Sequence, residues 1–104
     1  MSIPCMNRVW EQSNQKGAAR LLLVALADYA DDNGLAWPGI ETLARKTLLS
    51  SRHVSRLVTR LQAAGELLVV PRPGRSHLYI VLTGTDTDPT GGRLAAALQR
   101  AEDR

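Results

Sequence analysis

The stretch that decides the fold is PGIETLARKTLLSSRHVSRLVTRLQAAG, residues 38–65. Two sets of apolar residues in this stretch have the spacing of three and four residues that is typical of a helix. The first set is Ile40, Leu43 and Ala44, and the second is Val54, Leu57, Val58 and Leu61. Ser50 or Ser51 can cap the second helix, and Gly65 is suited to end it. The stretch therefore predicts helices over residues 39–47 and 51–64, joined by a tight turn.

The second predicted helix is basic on the side that its apolar residues leave exposed. Arg52, Arg56 and Arg60 share one side because they recur every four residues. A short helix, a tight turn and a basic amphipathic second helix form the helix-turn-helix pattern. In that pattern the second helix enters the major groove of DNA.

The polar side chains of this helix suit different parts of a duplex. Arginine can form two parallel hydrogen bonds to guanine, and serine can contact a base edge or a phosphate. We predict that Ser51, Arg52, Ser55 and Arg56 face bases, with His53 at the flank on base or backbone. Thr59 and Arg60 lie one turn further on and should meet phosphate. Arg45 and Lys46, on the first helix of the pair, should contact the DNA backbone.

The flanking sequence completes a larger pattern. A leucine-rich helix is predicted over residues 17–31, a short strand over 35–37, and a β-hairpin from strands 67–70 and 77–82. The turn PRPGRS, residues 71–76, carries Arg72 and Arg75, which suit the minor groove or the backbone. This order is that of a winged helix-turn-helix. The predicted class is mostly α with a small β-hairpin (α+β), three helices plus a wing.

The sequence divides into four parts. Residues 1–16 form a leader without a sustained period, and residues 17–82 form the winged domain. Residues 83–92 are small and polar, which predicts a flexible linker. Residues 93–104 predict a short helix, which is marginal alone. It would pack on the domain, pair with another copy or fray.

The charge lies on the same part of the chain as these motifs. The 104 residues carry a formal net charge of +3. Residues 45–75 hold seven Lys and Arg against Glu66 alone, a net of +6, while the segments before and after are −2 and −1. Such a concentration indicates a face that binds a polyanion, and six basic contacts would give a log–log salt slope of about −5.

The sequence lacks the motifs that are typical of enzymes, metal sites and membrane proteins. We expect no enzyme and no cofactor, because paired carboxylates, an activated nucleophile and a phosphate-binding glycine loop are not found. One Cys and two His give no zinc-ligand spacing, and the single Cys5 allows no intramolecular disulfide. No apolar run reaches the length of a membrane span and no signal peptide is evident, so we expect a cytoplasmic protein without a membrane partner.

The chain resembles winged helix-turn-helix domains of phage and plasmid replication proteins and mobile-element regulators. The motifs that carry the resemblance, over residues 17–82, are LADYADDNG, WP, ETLA, SSRHVSRLVTRLQAAG and PGRSHLYIV. By position it implies that Ser51, Arg52, His53, Ser55 and Arg56 face DNA and that Arg72 and Arg75 form the wing contact. Initiators of this type often carry a larger C-terminal region, whereas this sequence has only the linker and the short helix after the winged domain. From this difference we expect a small stand-alone DNA-binding protein or a fragment rather than a complete initiator.

Two functions stay open at this point. The first is a sequence-specific double-stranded DNA-binding protein, acting as a transcription regulator or an origin-binding factor of a mobile element. The alternative is a winged-helix module that binds protein, as an adaptor in a replication, recombination or partition complex. A homodimer through the two termini is compatible with either function, since helix-turn-helix proteins commonly dimerise.

Overall fold

A computed structural model describes residues 1–84 and 92–103. The described elements, in chain order, are α1 (Ile3–Gln12), α2 (Gly17–Tyr29), β1 (Leu35–Ala36), α3 (Ile40–Thr47), α4 (Ser51–Ala63), β2 (Leu67–Val70), β3 (Leu78–Val81) and α5 (Gly92–Glu102). Helices α2, α3 and α4 with the β2–β3 hairpin form the predicted α+β winged helix-turn-helix. Most of the predicted linker lies outside the described residues.

The core is built on helix α2. Its side chains Leu22, Leu23 and Leu26 are fully buried, and α1, α3, α4 and β3 all pack against this helix. Helix α4 contributes Val54 and Leu61, which are also fully buried. The helical spacing of these apolar residues thus places one side of α4 in the core and leaves its other side exposed.

The three strands form one antiparallel sheet in the order β1-β3-β2. Leu35 pairs with Ile80 on one edge of β3, and Leu68 pairs with Ile80 on the other. The approach of β1 depends on Gly34, which has φ +90° and whose backbone carbonyl accepts a 2.9 Å hydrogen bond from the Val81 N–H. A Cβ atom at this position would lie 2.8 Å from the Val81 carbonyl oxygen, so only glycine fits.

Helix α5 covers the face of the sheet that points away from the other helices. Leu94 and Ala97 are buried in a second cluster with Leu35, Leu78 and Ile80. Arg100 also forms an ion pair with Asp31, in the loop after α2. Of the three alternatives for the C-terminal helix, packing on the domain is the one observed.

The N-terminal leader contains helix α1, which the sequence did not predict. Ser2 caps this helix by accepting a hydrogen bond from the Cys5 N–H at 3.1 Å, and Cys5 and Val9 are fully buried against α2. Ser2 and Pro4 are local signals of a helix start. Two fully buried residues four apart are too few to show a sustained period, so the helix is stabilised mainly by its packing on α2. Trp10 remains 54% exposed, with the Arg20 guanidinium 5.1 Å from its ring centre.

Candidate nucleic-acid interface

The turn between α3 and α4 is held by hydrogen bonds at both ends. Helix α3 ends at Thr47, and its C-cap Leu48 adopts the left-handed conformation with φ +59°. The Leu49 N–H donates to the Ala44 carbonyl oxygen at 3.1 Å. Helix α4 then begins at once, because Ser50 Oγ accepts a hydrogen bond from the His53 N–H at 3.0 Å. The turn is therefore only residues 48–50, which fixes the orientation of α4 relative to α3.

Helix α4 presents all of its predicted site residues to solvent. The exposed residues are Ser51, Arg52, His53, Ser55, Arg56, Thr59 and Arg60. No acidic residue occurs in Ser51–Ala63. Because a helix rises about 1.5 Å per residue, the row Arg52, Arg56 and Arg60 extends over roughly 12 Å. The structure thus brings these residues together as one basic surface, which we call the α4 face.

A cleft of about 250 Å³ lies between α4 and the hairpin. Ser55, Thr59 and Gln62 line its helical side at a spacing of four and three, and His77 lies on its strand side. Its floor is apolar and includes Val58, Val69 and Tyr79. Neither Gln62 nor His77 is among the site residues predicted from the sequence. The spacing from Ser55 through Thr59 to Gln62 would have indicated Gln62.

The wing turn, residues 71–76, is tied to the body of the domain. Arg72 Nε donates to the Ser76 carbonyl oxygen at 2.9 Å across the turn. Ser76 Oγ in turn donates to the Trp37 carbonyl oxygen at 3.0 Å, just before α3. Arg72 is partly buried and Arg75 is exposed. The wing is therefore fixed beside the cleft, with Arg75 presented towards solvent.

The two basic residues of α3 have different surroundings. Arg45 is exposed, whereas the Lys46 ammonium forms an ion pair with Asp28 and lies 4.9 Å from the centre of the Tyr29 ring. The hydrogen bond to the Asp28 carboxylate raises the pKa of Lys46 above its usual value. Lys46 therefore links α3 to α2, and part of its charge is balanced before any polyanion approaches.

The acidic residue closest in sequence to the α4 face also has a hydrogen-bond partner. Glu66 follows α4, and its Oε1 accepts a hydrogen bond from Thr83 Oγ1 at 2.9 Å.

Within residues 1–84 and 92–103, no cluster of three or more His, Cys, Asp or Glu could hold a metal ion. In the same part of the chain, no helix has the length and apolar character needed to cross a membrane.

The geometry of α2, α3, α4 and the hairpin defines a winged helix-turn-helix domain. Residues 16–66 match a protein family described as helix-turn-helix domain. The matched residues, just under half of the chain, contain the whole of α2, β1, α3 and α4. The family supports DNA binding, because a helix-turn-helix places its second helix in the major groove.

One curated relative is Protein YmfN of Escherichia coli (strain K12). It is 34% identical to this chain over 70 residues, which is 64% of this chain and 15% of that protein. The chain thus spans about one seventh of the length of this relative. No solved structure gives a significant match.

Proposed function

We propose that this protein binds double-stranded DNA in a sequence-specific manner. In this proposal α4 lies in the major groove, and the wing turn, residues 71–76, contacts the adjacent minor groove or the backbone. The observation that carries the proposal is the α4 face, which is exposed, basic and without an acidic residue. A packed amphipathic helix with this polar side has the charge and the shape that the major groove accepts.

The residues of the α4 face divide by their distance from the start of the helix. The first turns of a recognition helix contact base edges, so Ser51, Arg52, Ser55 and Arg56 are assigned to bases. His53 is assigned to the flank of this set. Thr59 and Arg60 are assigned to phosphates, which set the register of the protein on the duplex without specifying sequence.

The cleft and the wing extend this contact along one DNA strand. The Ser55 hydroxyl and the Gln62 amide can donate hydrogen bonds to phosphate oxygens. Thr59 can do so by exchanging its 3.3 Å hydrogen bond to the Ser55 carbonyl oxygen for one to a phosphate. Arg75 is exposed at the wing, and Arg72 lies beside it in the same turn. We assign the sugar-phosphate backbone of one DNA strand to the space between α4 and the wing. Arg45, on α3, is assigned to the backbone beyond that space.

The biological role that we propose is transcription regulation or origin binding for a mobile element. This assignment rests on the resemblance of the winged domain to those of phage and plasmid replication proteins. The alternative function is that of an adaptor module, which would use the same surface to bind a protein instead of DNA.

Selection of bound duplexes from a random pool tests the proposal. We expect the purified protein to enrich one sequence motif, and the double variant Arg52→Ala/Arg56→Ala to enrich none, because both assigned base readers are lost. The variant Leu21→Ala, at an exposed position of α2, is the matched control and should enrich the same motif as the wild type. Failure of the folded wild-type protein to enrich any motif would overturn the proposal.

A further inference from the structure

Leu48 combines two features that are unfavourable for a folded protein. Its side chain is 92% exposed, more than the other large apolar side chains that are exposed in the described part of the chain. Its φ of +59° also makes it the one non-glycine residue with a positive φ among the described residues. Glycine or asparagine would adopt this conformation more readily, so leucine is not explained by the turn itself.

The position of Leu48 points to the nucleic-acid interface. Its neighbour Leu49 packs against the core, whereas Leu48 projects into solvent. Only three peptide units separate Leu48 from Ser51, so their Cα atoms lie within about 11 Å of each other. Leu48 is therefore an exposed apolar residue close to the start of α4, where the assigned base readers are placed. A strained and exposed residue at such a place is a signal of function.

We propose that Leu48 contacts the methyl group of a thymine at the edge of the major groove. This inference rests on the proposed function of α4. The thymine C5-methyl is the apolar group that base edges offer in the major groove, while their other groups are hydrogen-bond donors and acceptors. The leucine side chain has no hydrogen-bonding group. Of the groups on base edges, it can therefore interact favourably with the thymine methyl, because their contact excludes water from both apolar surfaces.

The test measures binding of the selected duplex and of versions in which one thymine at a time is replaced by uracil, which lacks the methyl. We expect wild-type affinity to fall about fourfold at one thymine position, the effect of losing one buried methyl group. The variant Leu48→Ala should bind the unmodified duplex about four- to tenfold more weakly. It should also show no further loss with uracil at that position, because the contact is already absent.

Two controls separate a lost contact from a damaged fold. Leu48→Asn should lose affinity in the same way while its thermal midpoint stays equal to or above that of the wild type, because asparagine tolerates the left-handed conformation. Leu21→Ala, which removes an exposed leucine from α2, should keep wild-type affinity and wild-type sensitivity to uracil.

The outcomes distinguish this inference from the proposed function. If the wild type selects no sequence, the proposed function itself is wrong. If the wild type binds its selected duplex but is insensitive to uracil at every position, or if the selected site contains no thymine, the Leu48 contact is wrong and DNA binding stands. The contact is also wrong if Leu48→Ala lowers affinity but keeps the wild-type response to uracil, since Leu48 would then touch another group.

Discussion

Arg56 occupies the middle of the α4 face, one turn from Arg52 on one side and from Arg60 on the other. All three side chains are exposed, and the side of α4 opposite to them is held by core residues such as Leu57. A rigid helix of this kind positions a guanidinium more sharply than a loop could. The three arginines therefore allow the roles of base reading and phosphate binding to be separated by substitution.

Arg56→Ala should lower the affinity for the selected duplex by about 1–3 kcal/mol and relax the preference at one base pair, because a bidentate contact to guanine is lost. Arg60→Ala is the matched variant at a position assigned to phosphate. It should weaken binding to all sequences alike and reduce the log–log salt slope by about one. Titrations with selected and scrambled duplexes measure both effects. Unchanged discrimination in Arg56→Ala would remove Arg56 as a base reader.

Tyr79 gives the stability of the fold a dependence on alkaline pH. Its side chain is buried against the helical core, and this burial raises the pKa of Tyr79 above its usual value of about 10. The unfolded chain therefore loses the tyrosine proton at a lower pH than the folded protein does. The stabilisation is fully present below about pH 10 and is lost as the pH rises through the folded-state pKa.

Denaturant unfolding between pH 8 and pH 11, compared with Tyr79→Phe, measures this effect. The free energy of unfolding of the wild type should fall more steeply above pH 10 than that of Tyr79→Phe, which cannot ionise at this position. Lys46, whose pKa is also raised, contributes equally to both proteins. Parallel curves for the two proteins would show that Tyr79 ionises equally in the folded and unfolded states.

At the scale of elements, Ser50 sets where α4 begins. Its side chain accepts the hydrogen bond from the His53 N–H, so Ser50→Ala should lower the free energy of unfolding by about 1 kcal/mol. Ser51→Ala changes the same residue type one position later, where no cap is lost, and should alter stability by less than about 0.5 kcal/mol. Thermal or denaturant unfolding of both variants checks this. A larger loss in Ser51→Ala would mean that the cap is assigned to the wrong serine.

Helix α5 should support stability without taking part in DNA binding. Leu94 is 6% exposed and packs on the face of the sheet opposite to α2, α3 and α4. Leu94→Ala should therefore lower the free energy of unfolding by about 2–4 kcal/mol. Its affinity for the selected duplex should stay at the wild-type value under conditions where it is folded. The exposed position Gln99→Ala is the control, and a specific loss of affinity in Leu94→Ala would place α5 in the interface.

The elements that the sequence predicted are those with a local signal. Helices α2, α3 and α4 have sustained apolar periods, Ser50 is a capping residue, and Pro71, Pro73 and Gly74 mark the wing turn. Helix α1 was missed because its apolar period is short, although Ser2 and Pro4 are helix-start signals of the kind that Ser50 provides for α4. The pairing of Leu35 with Ile80 and the ion pair of Lys46 with Asp28 join residues far apart in sequence, so no local pattern could reveal them.

At the scale of the whole molecule, three acidic side chains at the end of α2 and in the loop after it connect this region to other elements. Asp28 pairs with Lys46, Asp31 pairs with Arg100, and Asp32 accepts a hydrogen bond from Ser2 Oγ at 2.9 Å. These contacts join α2 and its following loop to α3, α5 and the start of α1. The segregation of charge seen in the sequence thus corresponds to a division between a packed body and a basic face.

The packing of the two termini narrows the choice of surfaces for a homodimer. The apolar side of α5 is occupied by the sheet, whereas α1 presents Ile3 and Trp10 at 61% and 54% exposure. If the protein dimerises through a terminus, α1 is therefore the surface that we propose. A dimer of this kind would read two half-sites one helical turn apart.

The most direct test of the central claim, that α4 reads DNA sequence through a basic face, is a titration of the selected and scrambled duplexes over a range of salt concentrations. The account predicts that the selected duplex binds about a thousandfold or more tightly than the scrambled one. It also predicts a log–log salt slope of about −4, from the four arginines that are not assigned to bases, Arg45, Arg60, Arg72 and Arg75. Equal affinity for the two duplexes, or binding that does not change with salt, would contradict it.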